Sequence, residues 1–548
     1  MDLARLSKDE GEKLLTVADN AVGRNGKVVA VAAYGSKVAG YARKDSDYDI
    51  IVVATKVSGR VKYSYVKEPV VSSALVVEDS LLEKDAKKAY LGEFVSGRLL
   101  NVYQPLLKGE VFKRAEVDCK RRVIVEELLE IESQQGEFAQ DLVFPLEYFL
   151  FNKLHKRALI YPPALYSYTR TYTCALGKEN TAFSLAGFEE AARSLQESGI
   201  VRLEGDRVRV LGEGLKSRAF ANVLSLFNLT TRTVRQYAVH GYVARVGVKV
   251  FKDEALSKAK RMQERVDPPK ELEEPKRLIQ LQEGFVLAKT EQMVDRLAAL
   301  SGMVAYKKSE RSLGEVYSTA RLLTLEGAAG GEARFVFKHF ADIRAMKWAL
   351  VNVWSARSHR FSTSPQSRMH REYAATVALR ARGVAVPKIL GAVLDDKVLV
   401  KEYIEGERLS DIVQAVLTGR SDDTHTVERF GEAMAAVHMA GYSLGDSKAT
   451  NVIVTKDGHM YFTDLEQASE GGDQAWDLAT FAYYQAKLSL KEAGMRKVAD
   501  AFLAGYRRKN GTENIVKVKG PKYLAPFRPI SKPALLKAVK DSIDANSA

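Results

Sequence analysis

Short apolar runs and helix-spaced stripes divide the chain into stretches of different habit. In the first hundred residues, positions 28–34, 49–54 and 70–77 are small or β-branched runs bounded by polar residues, which predicts buried strands. A helix capped at Ser7 precedes them and another begins at Asp79, giving an α/β domain over 1–110. Residues 111–175 read as mainly helical and aromatic, including FPLEYFLF and YPPALYSYTRTY. Phe188, Ala191, Ala192 and Leu195 recur at helical spacing, and Gly199 ends that helix. Val201 and Leu203 then face Val208 and Val210 across Gly205-Asp206, a hairpin signal. A helix followed by a two-stranded wing predicts a winged-helix module within 111–252, suited to nucleic acid or to protein docking. Residues 253–282 carry dense charge and three prolines, so 253–299 reads as a charged linker with some helix. A second patterned region spans 300–505, and a basic tail covers 506–548. The expected fold class is α+β and multidomain.

Composition narrows this picture only slightly. The 548 residues are 46% hydrophobic and 28% charged, ordinary values for globular protein. No apolar run reaches membrane-spanning length and MDLARLSKDEGEK is too polar for a signal peptide, so a cytoplasmic protein without membrane contact is expected. Cys119 and Cys174 lie far from each other and from any histidine cluster, which supports neither a disulfide framework nor a zinc site. The net charge of +14 favours polyanionic partners, RNA among them, although surplus cations also simply solvate a surface. No feature of the sequence sets the oligomeric state.

Candidate chemistry concentrates in two places. In the first, Asp47 and Asp49 flank one tyrosine ahead of Ile50–Val53, so strand alternation puts both carboxylates on one side. Two adjacent acids repel unless a cation lies between them, and magnesium is the natural candidate. A DxD alone is also an acidic turn, but ten residues separate Gly35-Ser36 from Asp47. Glycine allows close backbone approach to phosphate, and the serine hydroxyl with nearby N–H groups can hold a triphosphate. The pattern GSKVAGYA before DSDYDI resembles the minimal nucleotidyltransferases of the DNA polymerase β superfamily. That resemblance implies transfer of a nucleoside monophosphate from an NTP with Mg2+ at Asp47 and Asp49, and NTP contacts from Gly35 and Ser36. Ser72 or Ser73 falls where the family places a third acid, with Glu68, Glu78 or Asp79 as possible substitutes.

In the second place, GYSLGDSKATNVIV puts Asn451 five residues after Asp446, and Asp464 follows in FTDLE. Catalytic loop, hairpin and second acid are what phosphoryl transfer from MgATP requires. Upstream stand Lys338 on a strand and Glu372 on a helix. KVLVKEYIEGERL reads as a strand leading into an adenine hinge at Glu402–Ile404, and WDLA offers Asp477 as a buried brace. These positions resemble the protein-kinase-like superfamily, in particular the atypical RIO kinases and the KEOPS-complex kinase. The resemblance implies that Asp446 orients or deprotonates an acceptor hydroxyl, Lys448 steadies the γ-phosphate, and Asn451 and Asp464 bind magnesium. It further implies that Lys338 and Glu372 grip the α and β phosphates of ATP. Four departures stand out: Leu444 for a usual histidine, Leu465-Glu466 after the metal acid, Lys401 at the back of the adenine pocket, and only Gly314 in the phosphate-covering loop. His438 reads as a packing residue. Ser362, Thr363, Ser364 and Ser367 sit in a long basic insert that the same resemblance marks as a phosphorylatable loop. In the tail, Tyr506, Tyr523 and Phe527 among lysines and arginines would suit RNA, or the segment is a solubilising extension. The expected function is a bifunctional enzyme: an atypical serine/threonine kinase fused to a nucleotidyltransferase-like domain, acting on protein or RNA-associated targets. An ATPase switch associated with RNA or ribosomes, and a small-molecule phosphotransferase, are the alternatives.

Overall fold

The computed structural model describes residues 5–24, 26–57, 60–211, 266–313, 320–328, 330–340, 361–489 and 491–547. Two compact units form: residues 1–134 with 142–280, and residues 135–141 with 281–548. Gly314, residues 212–252 of the expected middle domain and residues 341–360 of the basic insert lie outside the described residues.

The first unit opens with α1 (Lys8–Val22), started by a capping box in which Ser7 and Glu10 satisfy each other's backbone N–H groups. Its apolar face, Leu14, Val17, Ala18 and Ala21, packs down on a five-stranded sheet. The strands are β1 (Lys27–Tyr34), β2 (Tyr48–Thr55), β3 (Val61–Val66), β4 (Ser72–Glu78) and β5 (Tyr103–Leu107), in the order β3-β4-β2-β1-β5. β2 and β4 run parallel while the remaining pairs are antiparallel. The runs at 28–34, 49–54 and 70–77 thus form strands, and β3 and β5 are additions whose half-polar sequences gave little apolar signal. The one-turn helix α2 (Ser36–Ala39) joins β1 towards β2, and α3 (Asp79–Lys88) starts at the expected Asp79.

Helices α4 (Gly109–Gln135), α5 (Leu146–Ile160), α6 (Pro163–Thr173) and α7 (Gly177–Glu197) follow. β6 (Leu142–Pro145) interrupts them as a strand inside a stretch expected to be helical. It pairs with β8 (Arg207–Val210), which forms the expected hairpin with β7 (Val201–Glu204) in the register Val201 to Val210 and Leu203 to Val208.

In the second unit, strands β9 (Phe285–Leu287), β10 (Tyr306–Ser312), β11 (Ala320–Gly327), β12 (Glu332–His339), β13 (Ile389–Val393) and β14 (Val398–Glu402) lie in the order β10-β11-β12-β14-β13-β9. Helix α8 (Thr290–Leu300) contributes Met293, Val294, Leu297 and Ala298 to this lobe's core. Within 253–299, expected as a charged linker with some helix, α8 is such a helix, whereas β9 is a correction: it pairs in parallel with β13, and its three residues are too few to show alternation. Helix α9 (Pro365–Ala381) starts at Ser364, whose hydroxyl caps the Ser367 N–H.

A larger core unites α10 (Leu409–Thr418), α11 (Thr424–Met439), α12 (Gln474–Leu488) and α13 (Glu492–Asn510). The segment expected to be a basic tail belongs to that core. Its helices α14 (Glu513–Val518) and α15 (Pro533–Asn546) bury Ile515, Val518, Leu535, Val539 and Ile543. Tyr506, Tyr523 and Phe527 are buried too, so their rings are not offered to RNA bases. The lysines and arginines that made the segment look like a tail occupy the outer faces of these helices, as amphipathic helices require.

Candidate active site

In the second unit, β12 and β14 pair so that Val336 faces Lys401 and Lys338 faces Leu399. Residues 336 and 338 share a face, so Lys338 and Lys401 project to the same side of the sheet. Both meet Glu372 of α9, which is wholly buried. Lys338 Nζ donates to Glu372 Oε2 at 2.7 Å and to Asp464 Oδ1 at 2.6 Å, while Lys401 Nζ donates to Glu372 Oε1 and to the Thr463 carbonyl, each at 2.5 Å. The Leu465 N–H adds a further bond to Glu372 Oε2 at 2.9 Å. Burial opposes the charge of Lys338, but Asp464, Glu372 and Glu466 outweigh it and hold its pKa well above the ordinary lysine range.

Two partners beyond the expected set complete this cluster. Arg368, one turn before Glu372, lies 3.3 Å from Glu466 Oε2, and Lys338 lies 3.5 Å from the same oxygen. Three cations and three carboxylates therefore share the buried end of the cleft, a balance that avoids the large cost of an unpaired buried charge. The sequence signal was present: Glu466 stands two residues after Asp464, where the kinase-like pattern carries a glycine.

The residues of the expected catalytic loop gather beside it. Lys448 Nζ is 2.6 Å from Asp446 Oδ1. Burial works against the Lys448 charge, yet Asp446, Tyr484 and Asp464 raise its pKa, so the field of both acids reaches this ammonium. Asn451 Nδ2 donates to the Asp446 carbonyl at 3.0 Å, and the Thr463 N–H donates to the Asn451 carbonyl at 2.9 Å, which ties the loop to the residue before Asp464. Asp477, fully buried, accepts the Leu444 and Gly445 N–H groups at 2.6 and 2.8 Å and lies 3.1 Å from His438 Nε2. Leu444 packs into the core as an apolar residue can. Glu402 ends β14 and Ile404 follows in the irregular segment beyond it. Asp464 and Asn451 offer oxygen donors only, the type magnesium takes together with phosphates and water.

In the first unit, Tyr34 faces Asp49 across β1 and β2, and Gly35 follows with φ +77°. A Cβ there would collide with the Asp49 carboxylate, so glycine is required on both counts. Asp49 pairs in register with Ser73 on β4, and Ser73 Oγ donates to Asp47 Oδ2 at 2.7 Å. Ser73 thus stands where a third acid was looked for. Glu78 and Asp79 are at the far end of β4, with Glu78 held by Arg60 at 3.2 Å. Helix α6 is an unforeseen part of this site: burial, with the Asp49 charge, pushes the Tyr41 hydroxyl up to about 12 despite hydrogen bonds from Ser167 and Thr171. Asp47 and Asp49 again supply carboxylate oxygens suited to magnesium.

Residues 18–117 match the family model of the nucleotidyltransferase domain, and residues 338–477 match that of the RIO domain. Over 83 residues, 15% of this chain, the sequence is 30% identical to the KEOPS complex subunit Bud32 of Pyrococcus abyssi. That stretch is 36% of the relative's length, so the chain spans about a third of the curated relative it matches.

Proposed function

We propose that this chain, which joins a nucleotidyltransferase domain to a RIO domain, transfers the γ-phosphoryl group of ATP in the cleft of its second unit and binds a nucleoside triphosphate at the first. The observation that carries the reading is Lys338 held between Glu372 and Asp464, with Asp446 and Lys448 paired alongside. Lys338 presents a fixed positive charge to the α and β phosphates, and Glu372 prevents it from swinging away. Asp446 takes the proton of the acceptor hydroxyl as its oxygen attacks the γ-phosphorus and the bond to the β-bridging oxygen breaks, releasing ADP. Lys448 neutralises charge on the transferred oxygens. Magnesium, held by Asn451 and Asp464, would neutralise the β and γ phosphates.

At the first site, Gly35 and Ser36 cradle phosphates, and Asp47 and Asp49 would hold the metal. Ser73 is a poor proton acceptor, so nucleotidyl transfer there is slower than at a site with three acids. The acceptor class we assign to the second unit is a hydroxyl of a protein or an RNA-associated target, in keeping with the net charge of +14. One feature favours a second reading as an ATPase or small-molecule phosphotransferase. Ser469–Glu470 pairs with Tyr442–Ser443, which folds the segment after Asp464 back on the catalytic loop and leaves little chain to dock a peptide.

Radiolabelled ATP separates these readings. Label from the γ-phosphate on a protein acceptor, lost in Asp446→Asn, is the expected result; free phosphate or a low-mass product assigns the second reading. Absence of any γ-phosphate release in the intact protein overturns both. Label from the α-phosphate, removed by Asp47→Asn with Asp49→Asn, tests the first site by itself.

A further inference from the structure

Residues 135–141 lie between α4 and β6 in the chain, yet they pack with residues 281–548. Their 3-10 turn, Gly136–Asp141, runs along α9, the helix that carries Glu372. Gly136 sits against Gln366, close enough that a Cβ would come within 3.2 Å of the glutamine Cβ. Ser367 Oγ donates to Glu137 Oε2 at 2.7 Å. Phe138, wholly buried, meets Tyr373 edge to face at 5.8 Å, and His370 Nδ1 lies 2.7 Å from Asp141 Oδ2. Positions 366, 370 and 373 repeat at helical spacing, so one face of α9 is covered by this segment. Arg368 and Glu372, four apart on another face, reach Glu466, Lys338 and Lys401.

The helix is therefore held from two sides by partners from distant parts of the chain. Its inner partners bond to the charged ends of Arg368 and Glu372, and the outer ones add a ring contact and hydrogen bonds on another face, so that the two sets together fix rotation and register. We propose that residues 135–141 are a clamp on α9, with Asp141 acting through His370, and Phe138 through Tyr373, as positioning residues for the Glu372–Lys338 pair. The catalytic part of this inference rests on the phosphoryl-transfer reading above; the clamping of the helix does not.

The clamp also acquires a pH dependence. The groups facing His370 are Asp141, Glu137 and Arg371: burial disfavours the charged ring and Arg371 adds to that, but Asp141 and Glu137 prevail and raise its pKa. A raised pKa means that the ion pair contributes fully below the unfolded value of about 6.5 and is lost as pH rises through the folded value.

The test uses the full chain and the variants Asp141→Asn, His370→Gln, their double and Phe138→Ala. ATP turnover from pH 5.5 to 8.5, amide hydrogen exchange of 365–381 and melting temperature are measured on each. Displacing a catalytic group by an ångström can cost about a hundred-fold in rate, and partial loosening is expected to lower kcat about ten-fold at pH 6 with a smaller change in KM. Wild type should fall towards the variants' level as pH rises. Asp141→Asn and His370→Gln should flatten that limb, and the double should lose no more than either single change. Exchange in α9 should quicken in every variant; melting of the unit should shift little in Asp141→Asn and His370→Gln and fall in Phe138→Ala, which empties a buried site. Unchanged α9 exchange in both Asp141→Asn and Phe138→Ala overturns the clamp. Faster exchange with wild-type turnover and pH profile overturns the positioning role. A wild-type chain that turns over no ATP defeats the phosphoryl-transfer reading instead, and α9 exchange then decides the clamp alone.

Discussion

Lys401 shows how one side chain changes the logic of a site. Where the kinase-like pattern carries an apolar residue, this ammonium crosses to Glu372 and the Thr463 carbonyl and shares one carboxylate with Lys338. Replacing it with methionine removes two charge-assisted hydrogen bonds but leaves Glu372 with Lys338 and the Leu465 N–H. Lys401→Met is expected to cost about 1.5–3 kcal/mol of stability, to lower ATP turnover and to leave MgATP affinity within a few-fold. Urea unfolding and a nucleotide titration would check this, and a variant as stable as wild type would show that the shared carboxylate contributes nothing. Ser73 offers the converse experiment. Ser73→Asp places a third carboxylate against Asp47, where like charges repel. The variant should melt below wild type without divalent ions and recover with millimolar magnesium. A melting temperature indifferent to magnesium would rule out Asp47 and Asp49 as ligands.

Helix packing explains why the C-terminal segment folds. Helices α11 and α13 meet backbone to backbone through two glycines: a Cβ at Gly431 would strike the Phe502 carbonyl, and one at Gly505 the Glu428 carbonyl. The close approach lets Phe430, Phe481 and Phe502 cluster at 4.3–5.6 Å between ring centres, with Phe430 stacked on Phe502. It also brings Tyr506 to His438, its hydroxyl 2.8 Å from Nδ1, and so supports the Asp477 brace beneath the catalytic loop. Gly505→Ala must force the helices apart, at a cost of about 1–3 kcal/mol. Chemical denaturation should register that loss, and ATP turnover should fall with it if α13 supports the catalytic loop. Wild-type stability in this variant would mean that the helices separate freely.

For the whole molecule, charge is the property that packing leaves exposed. With the aromatic residues of 506–548 buried, an RNA contact made by that segment would be led by phosphates and surface cations rather than by base stacking. Such binding releases counterions, so about six phosphate contacts would weaken affinity roughly a thousand-fold between 50 and 200 mM salt. Filter binding at the two concentrations tests this, and affinity indifferent to salt would exclude a phosphate-led interface. Among the described residues no helix is long and apolar enough to cross a membrane.

The sequence alone determined what depends on spacing and alternation. The GS and DxD residues had to meet at one end of neighbouring strands, and a lysine, a helix glutamate and the acids of two loops marked side chains that gather in one cleft. These signals are local or carried by motifs, so they survive in one dimension. The tertiary structure decided whatever depends on which distant side chains share a buried space. Lys401 joined Glu372, Arg368 found Glu466, α6 came to bond the Tyr41 hydroxyl, and the last helices entered a core that their positive charge concealed. Charge counts say how many ions a segment carries, but only packing settles which of them lose water and must find partners.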